Sequence, residues 1–224
     1  MAKRWLGLLR ENKRVAIVAA CAIVFLVLLE DVLEGGLIKL DEAAYVLIVE
    51  HLRTDWLTPI MESISALATP VTLMVMLLLI VAFAPGRRPG ACCALNLALV
   101  VVLNQVLKFL VQRPRPEGFR LATETGFSFP SGHSMAAMAF FGLLIWMVWH
   151  YERDRVVRIG CSVALAALIV AVGVSRIYLG VHYASDVVAG FCVSLAWLAF
   201  YTRAVAPLFL GEAPAREAGA KAAD

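Results

Sequence analysis

Long apolar runs alternate with short polar segments along the whole chain. Six of these runs approach the roughly 17–25 residues that a bilayer-spanning helix needs, and each is predicted to be a membrane helix. The fourth and sixth runs are short, which predicts that functional groups at their ends lie slightly below the headgroup surface. The runs cover residues 15–33, 60–84, 91–111, 134–149, 159–174 and 187–202.

The segment between the first two runs has a different pattern. Over residues 40–56, apolar residues recur at helical spacing and acidic residues occupy the other faces. This pattern is typical of an amphipathic helix that lies flat on a membrane surface. His51 and Trp56 belong to this segment, and we expect them to act as interfacial anchors.

Composition supports an all-α integral membrane protein, a six-transmembrane-helix bundle with an interfacial helix between helices 1 and 2. Hydrophobic residues make up 62% of the chain and charged residues 17%, whereas soluble domains are about 45–50% apolar. Residues 1–210 are predicted to form one membrane domain. Residues 211–224 lack large apolar side chains and are predicted to be a disordered cytoplasmic tail.

All five cysteines fall in apolar runs, which predicts packed thiols.

The distribution of charge predicts the orientation in the membrane. The net charge of +3 is not a nucleic-acid signal, because the basic residues cluster beside apolar runs. The positive-inside rule places both termini in the cytoplasm and the acidic segment 34–55 outside the inner (plasma) membrane. The loops after the third and fifth runs lie on the same side, since two crossings separate them. The charge rule makes that side the outer, periplasmic face.

Three polar stretches, residues 108–116, 130–133 and 175–186, border those two same-side loops. Ionisable groups are costly within membrane segments and mark functional sites. We therefore predict one site built from all three stretches. Its candidate residues are Lys108, Arg115, Ser131, Gly132, His133, Arg176, His182 and Asp186.

The spacing of His182 and Asp186 predicts an oriented imidazole. At i, i+4 on one helical face, the carboxylate accepts a hydrogen bond from one ring nitrogen and leaves the other as a lone pair. An imidazole held in this way is a nucleophile or a base. The same logic operates in hydrolase triads.

The remaining candidates predict a binding site for phosphate. Arginine matches phosphate oxygens with its planar fork, and lysine acts as a point charge. Ser131 and Gly132 precede the fourth run, where free N–H groups and the helix dipole favour an anion. The sequence has no obvious carboxylate cluster for Mg²⁺ here, so we expect turnover without a metal or other cofactor.

Several neighbouring residues are predicted to have supporting roles. Asn104 lies four residues before Lys108 and is expected to position it, while Pro70 is expected to kink the second run. Arg113 and Arg120 are interpreted as headgroup-binding or loop-structure residues. For three aromatic residues beside the site, guidance of a lipid chain and packing of the loop stay open; they are Phe119, Phe127 and Phe129.

The three stretches resemble the signature of the type 2 phosphatidic acid phosphatase family. That signature consists of Lys, six residues and Arg-Pro; then Pro-Ser-Gly-His; then Ser-Arg, five residues, His, three residues and Asp. Every position matches. The resemblance implies that His182 attacks phosphorus to form a phosphohistidine, that Asp186 orients it, and that His133 protonates the leaving oxygen and then activates water. It also implies phosphate binding by Lys108, Arg115, Ser131, Gly132 and Arg176.

The resemblance implies a membrane lipid phosphatase whose partners are the membrane and a lipid phosphate. Bacterial members suggest phosphatidylglycerol phosphate, phosphatidic acid or undecaprenyl pyrophosphate as substrate, and the motifs do not choose among them or indicate an oligomeric state. One alternative is a lipid phosphotransferase with the same site. A non-enzymatic lipid-binding protein is another. A vanadium haloperoxidase shares the site chemistry, but six membrane segments argue against that soluble class.

Overall fold

The computed structural model describes residues 13–35, 38–84 and 88–210. The predicted tail, 211–224, lies outside these residues. Within them, every regular element is helical. In chain order these are α1 (Lys13–Leu33), α2 (Lys39–Ala44), a π-helical segment (Tyr45–His51), α3 (Thr58–Ala66), α4 (Pro70–Phe83), α5 (Arg88–Val111), α6 (Gly132–Tyr151), α7 (Arg155–Tyr178), α8 (Ala184–Ala204) and α9 (Ala206–Leu210).

The six-span prediction is confirmed, with one span broken. In the described residues, α1, α5, α6, α7 and α8 are each long and apolar enough to cross a membrane, and α3 with α4 forms a sixth span bent by 52°. Pro70 starts α4 instead of kinking a continuous helix. Proline suits this position because the first helical N–H has no partner within the helix. The Thr69 hydroxyl caps the new helix by accepting from the Thr72 amide at 3.4 Å.

Helices α6 and α8 form the centre of the bundle. In each of them, half of the residues in the 18-residue apolar stretch that would cross the membrane are buried, against 17% in α1, α5 and α7. Helix α6 packs against α5, α7 and α8. Gly190 allows close packing at the start of α6, since a Cβ there would lie 3.0 Å from the Ser131 carbonyl oxygen. The centre of the bundle therefore lies directly beneath the predicted site.

The prediction that the fourth and sixth helices are short is wrong. Helix α6 has 20 residues and α8 has 21, because both begin inside the polar motifs. The Ser131 side chain caps α6 by accepting from the Ser134 amide at 3.4 Å. Asp186 caps α8 by accepting from the Tyr183 amide at 2.9 Å. Motif residues thus supply the helix caps as well as the predicted chemistry.

The interfacial helix is present but ends earlier than predicted, at His51. Ile48 packs with Tyr178 and Val181 in a small core under this segment. The prediction that its acidic residues avoid the buried face is wrong for Asp41, which is 4% exposed. Its carboxylate faces α8 and the loop before α6.

Candidate active site

Two loops meet at one end of the bundle, residues 112–131 between α5 and α6 and residues 179–183 between α7 and α8. The Leu121 amide donates to the Leu179 carbonyl at 2.9 Å. Arg115 Nη1 donates to the Val181 carbonyl at 3.0 Å. The Ser131 amide also donates to the Asp186 carbonyl at 3.0 Å, so all three polar stretches meet at this end of the bundle.

His182 and Asp186 are paired as predicted, but through a different geometry. The His182 Nδ1 atom lies 3.2 Å from Asp186 Oδ2. His182 precedes α8, so the pair does not come from two positions on one helical face. It forms because Asp186 reaches back over the start of α8 to cap the Tyr183 amide. The carboxylate then meets the ring from the capping position.

The hydrogen bonds of Asp186 determine the tautomer of His182. The carboxylate is fully buried and accepts from Arg113 Nη1 at 2.8 Å and from the Ser128 hydroxyl. An acceptor-only carboxylate requires that Nδ1 carry the hydrogen, which leaves a lone pair on Nε2. That Nε2 lies 3.1 Å from Arg115 Nη1. The lone pair therefore faces the cations of the site.

The ring of His182 is uncharged at neutral pH. Burial lowers the pKa of His182 to about 4, against the opposing effect of the Asp186 carboxylate. A neutral imidazole is the form that attacks an electrophile.

A cleft of about 900 Å³ opens in front of His182. Leu73 and Leu77 of α4 and Leu97 of α5 are among its apolar lining residues. Five of the eight predicted site residues also line it, and these are Lys108, Arg115, Gly132, His133 and His182. The cleft therefore joins an apolar groove to a polar, cationic end.

Two of the predicted cations, Arg115 and Lys108, donate to backbone carbonyls, and the third, Arg176, donates to a side chain of α3. Arg115 donates to the carbonyls of Gly126 at 3.0 Å and Thr125 at 3.1 Å. Lys108 Nζ donates to the Phe127 carbonyl. Arg176, 3% exposed, donates to the Ser65 hydroxyl of α3. Its buried Nε has no partner among the described residues, and Arg176 is not among the residues that line the cleft.

Ser131 and Gly132 form the start of α6. The buried Ser131 hydroxyl lies 2.9 Å from the Ser134 hydroxyl, as part of the helix cap, and Ser131 does not line the cleft. Its contact with phosphate stays a prediction. Gly132 faces Asn104, since a Cβ on Gly132 would lie 3.0 Å from Asn104 Oδ1. Asn104 donates to the Pro130 carbonyl at 3.1 Å and so supports this turn rather than Lys108.

Of the two interpretations of Arg113, binding of a headgroup is wrong. Arg113 is 9% exposed and bonds both Asp186 and Asp41. The sequence signal for a role in the site was that Arg113 lies two residues before Arg115. Arg120 does support the loop, because it donates to the carbonyls of Pro116 and Arg115.

Glu124 is a site residue that sequence reasoning missed. Its carboxylate accepts from Arg176 Nη2 and lies 3.9 Å from Arg115 Nη2, and it lines the same cleft. Burial raises the pKa of Glu124, but Arg176 and the nearby cations outweigh burial and hold it below the usual value. The ionised carboxylate therefore occupies one terminal nitrogen of Arg176, a residue that the sequence predicts to bind phosphate.

The three loop aromatic residues have different surroundings. Phe129 is fully buried and packs 5.8 Å from the Phe25 ring, so it belongs to the core. Phe119 packs edge-on against Tyr45 at 4.7 Å. Phe127 is 37% exposed and lines the cleft. Only Phe127 is placed to contact a lipid chain in that cleft.

Comparisons with known proteins agree with this arrangement. A family model described as the PAP2 superfamily matches residues 89–209. Phosphatidylglycerophosphatase B of Bacillus subtilis is 33% identical over 178 residues, which cover 76% of this chain and 86% of the relative. Undecaprenyl-diphosphatase of Sulfolobus acidocaldarius is 29% identical over 139 residues, covering 58% and 59% respectively.

A solved structure has the same fold. The crystal structure of a transmembrane PAP2 type phosphatidylglycerolphosphate phosphatase from Bacillus subtilis superposes with a TM-score of 0.69 at 27% identity. The match covers 86% of this chain and 96% of that one. The site described above thus lies within a helical arrangement common to both proteins.

Proposed function

This chain belongs to the PAP2 superfamily and is a membrane lipid phosphatase, and on that premise we propose that it cleaves the terminal phosphate of a phospholipid through a phosphohistidine on His182. The observation that carries the proposal is the hydrogen bonding of His182. Its Nδ1 is held by Asp186 and its Nε2 faces Arg115 in the cleft.

The first step transfers the phosphoryl group to the enzyme. The Nε2 lone pair of His182 attacks phosphorus, and the bond from phosphorus to the lipid oxygen breaks. His133, in the first turn of α6, lines the same cleft and donates a proton to the departing oxygen. Lys108, Arg115 and Arg176 stabilise the charge on the phosphoryl oxygens, which is the main requirement of phosphoryl transfer.

The second step releases phosphate. Neutral His133 takes a proton from water, whose oxygen attacks the phosphohistidine, and the bond from phosphorus to Nε2 breaks. Inorganic phosphate leaves and His182 returns to its neutral form. His133 is protonated again and is ready for the next cycle. No metal enters these steps, and we expect full activity in the presence of EDTA.

The lipid part of the substrate occupies the apolar groove between α4 and α5. An attack in line with the breaking bond requires the leaving oxygen on the side of phosphorus away from His182. The 900 Å³ cleft suits this requirement because both histidines line it. A smaller cavity of about 540 Å³ under the interfacial helix is lined by His182 but not by His133.

We propose phosphatidylglycerol phosphate as the preferred substrate. The relative named for that activity matches this chain over most of both lengths. A panel of phosphatidylglycerol phosphate, phosphatidic acid and undecaprenyl pyrophosphate tests the choice. The highest kcat/KM belongs to the first compound if the proposal is correct, and a preference for the prenyl pyrophosphate would contradict it.

Substitution of the nucleophile tests the mechanism. His182→Ala lowers kcat by on the order of 10⁴-fold or more, because the residue that forms the covalent bond is absent. The exposed His51 provides the matched control, and His51→Ala retains turnover. Alkaline quenching of the wild type traps a phosphohistidine, and an added alcohol shows whether water alone discharges it. Wild-type phosphate release from the folded His182→Ala protein would reject the assignment.

A further inference from the structure

A buried charged cluster lies behind His182, on the side away from the cleft. Arg113 is its centre, with Nη1 2.8 Å from Asp186 Oδ1 and Nη2 2.9 Å from Asp41 Oδ2. The guanidinium also stacks over the Tyr183 ring, 4.0 Å from its centroid. One arginine therefore connects the catalytic carboxylate to the interfacial helix α2.

The far end of the cluster is anchored at the start of α8. Asp41 Oδ1 accepts from the Ser185 amide at 2.7 Å, and Oδ2 accepts from the Ser185 hydroxyl at 2.8 Å. Arg113 Nη1 lies 2.7 Å from that same hydroxyl. None of the four charged or hydroxyl side chains is more than 9% exposed. Because buried ions interact strongly and resist reorientation, this network has little freedom to move.

We propose that Arg113 and Asp41 are positioning residues for the nucleophile, acting through Asp186. The proposal rests on the phosphohistidine mechanism above. A carboxylate rotates about its own bond unless both oxygens are held. Arg113 holds Oδ1 of Asp186, which keeps Oδ2 directed at His182 Nδ1. Asp41 in turn holds Arg113, so α2 forms part of the catalytic machinery.

The charge of the cluster supports this role. Two carboxylates and one guanidinium sum to a net charge of −1. When Nε2 of His182 bonds to phosphorus, the ring keeps its hydrogen on Nδ1 and becomes positively charged. The cluster then balances that charge at the moment it forms, without reorganisation. A pair of Asp186 and Arg113 without Asp41 would be neutral and would not balance the positive charge on the His182 ring.

Arg113 is not a phosphate ligand in this arrangement. It does not line the cleft, and both of its terminal nitrogens already donate to carboxylates. Its loss is therefore expected to change kcat more than KM. Inhibition by vanadate, which occupies the phosphate position, is expected to stay near the wild-type level.

The pH profile separates a positioning role from a structural one. Charged or titratable groups come from every side of the site. Asp186, Arg115 and Arg176 act directly on His182, and the other groups of the site are Asp41, Lys108, Arg113, Glu124 and His133. Removal of the Arg113 cation favours protonated His182, so the acid limb of kcat/KM moves to higher pH. Removal of the Asp41 anion moves it to lower pH. Loss of packing alone does not produce shifts of opposite sign.

Three variants of the full-length protein in detergent test the proposal. Arg113→Met lowers kcat roughly 10–100-fold, which is the usual loss when a residue that orients a ligating or catalytic side chain is removed. Asp41→Asn has a smaller effect of the same kind. Because both act through one chain of contacts, the double variant resembles Arg113→Met alone instead of showing the product of the two losses. Arg113→Lys keeps the charge and retains the wild-type acid limb, with reduced kcat because it cannot bridge both carboxylates.

Glu42→Gln is the matched control for Asp41→Asn, since Glu42 is the exposed acidic neighbour on α2. If Arg113→Met does not fold, Asp41→Asn still decides the question because Arg113 and Asp186 stay paired. Equal kcat and pH profiles for Asp41→Asn and Glu42→Gln, or changes confined to the melting temperature, would overturn the proposal. Full turnover by His182→Ala would instead refute the phosphohistidine mechanism itself.

Discussion

At the residue scale, the reactivity of the site depends on where the hydrogen of His182 lies. Asp186 accepts from four donors, including the Ser128 hydroxyl and the Tyr183 amide. These donors keep the carboxylate ionised and place the hydrogen of the ring on Nδ1. The nitrogen that we propose as the nucleophile is thereby set by contacts behind the ring, not by groups within the cleft.

The pH dependence of turnover follows from the burial of His182. Its pKa of about 4 means that the Nε2 lone pair, which we propose attacks phosphorus, is present above that pH and is lost as the pH falls through it. We expect the acid limb of kcat/KM to lie well below the value of about 6.5 for a free histidine. The measurement is kcat/KM against pH, with the ionisation of the substrate titrated separately. An acid limb at or above pH 6.5 that does not come from the substrate would contradict this.

Glu124 is expected to compete with the phosphate group for Arg176. Glu124→Gln keeps the size of the side chain but removes its charge. A bound anion is then repelled less and competes with a weaker partner for Arg176 Nη2. Vanadate is expected to inhibit this variant several-fold more strongly than the wild type. Glu117→Gln is the control, since Glu117 is an exposed acid in the same loop. Equal inhibition of both variants would show that Glu124 does not lie in the anion position.

At the element scale, the break between α3 and α4 has a role in the site. It ends α3 at Ala66, which brings the buried Ser65 hydroxyl against Arg176 Nη1. It also starts α4 at Pro70, whose following turns line the cleft. A straight helix over the same residues would not present both surfaces in this way.

Ser65→Ala tests that link between α3 and Arg176. Loss of a hydrogen bond to a charged donor costs about 1.5–3 kcal/mol, so kcat/KM is expected to fall by roughly tenfold or more. Ser63→Ala, on the same helix, is the control, because within the described part of the chain the Ser63 hydroxyl donates only to the Pro59 carbonyl of its own helix. Indistinguishable kinetics for the two variants would mean that Ser65 does not position Arg176.

At the scale of the whole molecule, the bundle collects its polar chemistry at one end. The apolar side chains of α1, α5 and α7 are largely exposed on the outside, as expected for contact with lipid hydrocarbon. We therefore expect the cationic end of the cleft to lie near one headgroup layer, where a lipid phosphate is found.

The charge distribution predicts which headgroup layer this is. In a cysteine-free background, Glu117→Cys in the loop beside the site is expected to react with a membrane-impermeant thiol reagent in intact cells. Arg153→Cys, in the loop between α6 and α7, is expected to react only after the membrane is permeabilised. The reverse pattern of labelling would place the site on the cytoplasmic face.

Sequence alone determined the class of the protein and most of the candidate site. Apolar runs of membrane length can be satisfied only by spanning helices, because the backbone has no water to bond within the bilayer. The parity of the spans then requires the three motifs to share a side. Lys108, Arg115, His133 and His182 were identified from their types and spacing, since ionisable groups are costly beside membrane segments and are retained there mainly for function.

Only the tertiary structure decided which neighbours surround these residues. Asp41 and Arg113 lie 72 residues apart, and nothing in their local pattern distinguishes a buried ion pair from solvated charges. Glu124 was missed for the same reason. The pairing of His182 with Asp186 was predicted correctly but from the wrong geometry. Long-range contacts of this kind depend on how helices pack, and the packing is a property of the whole bundle rather than of any segment.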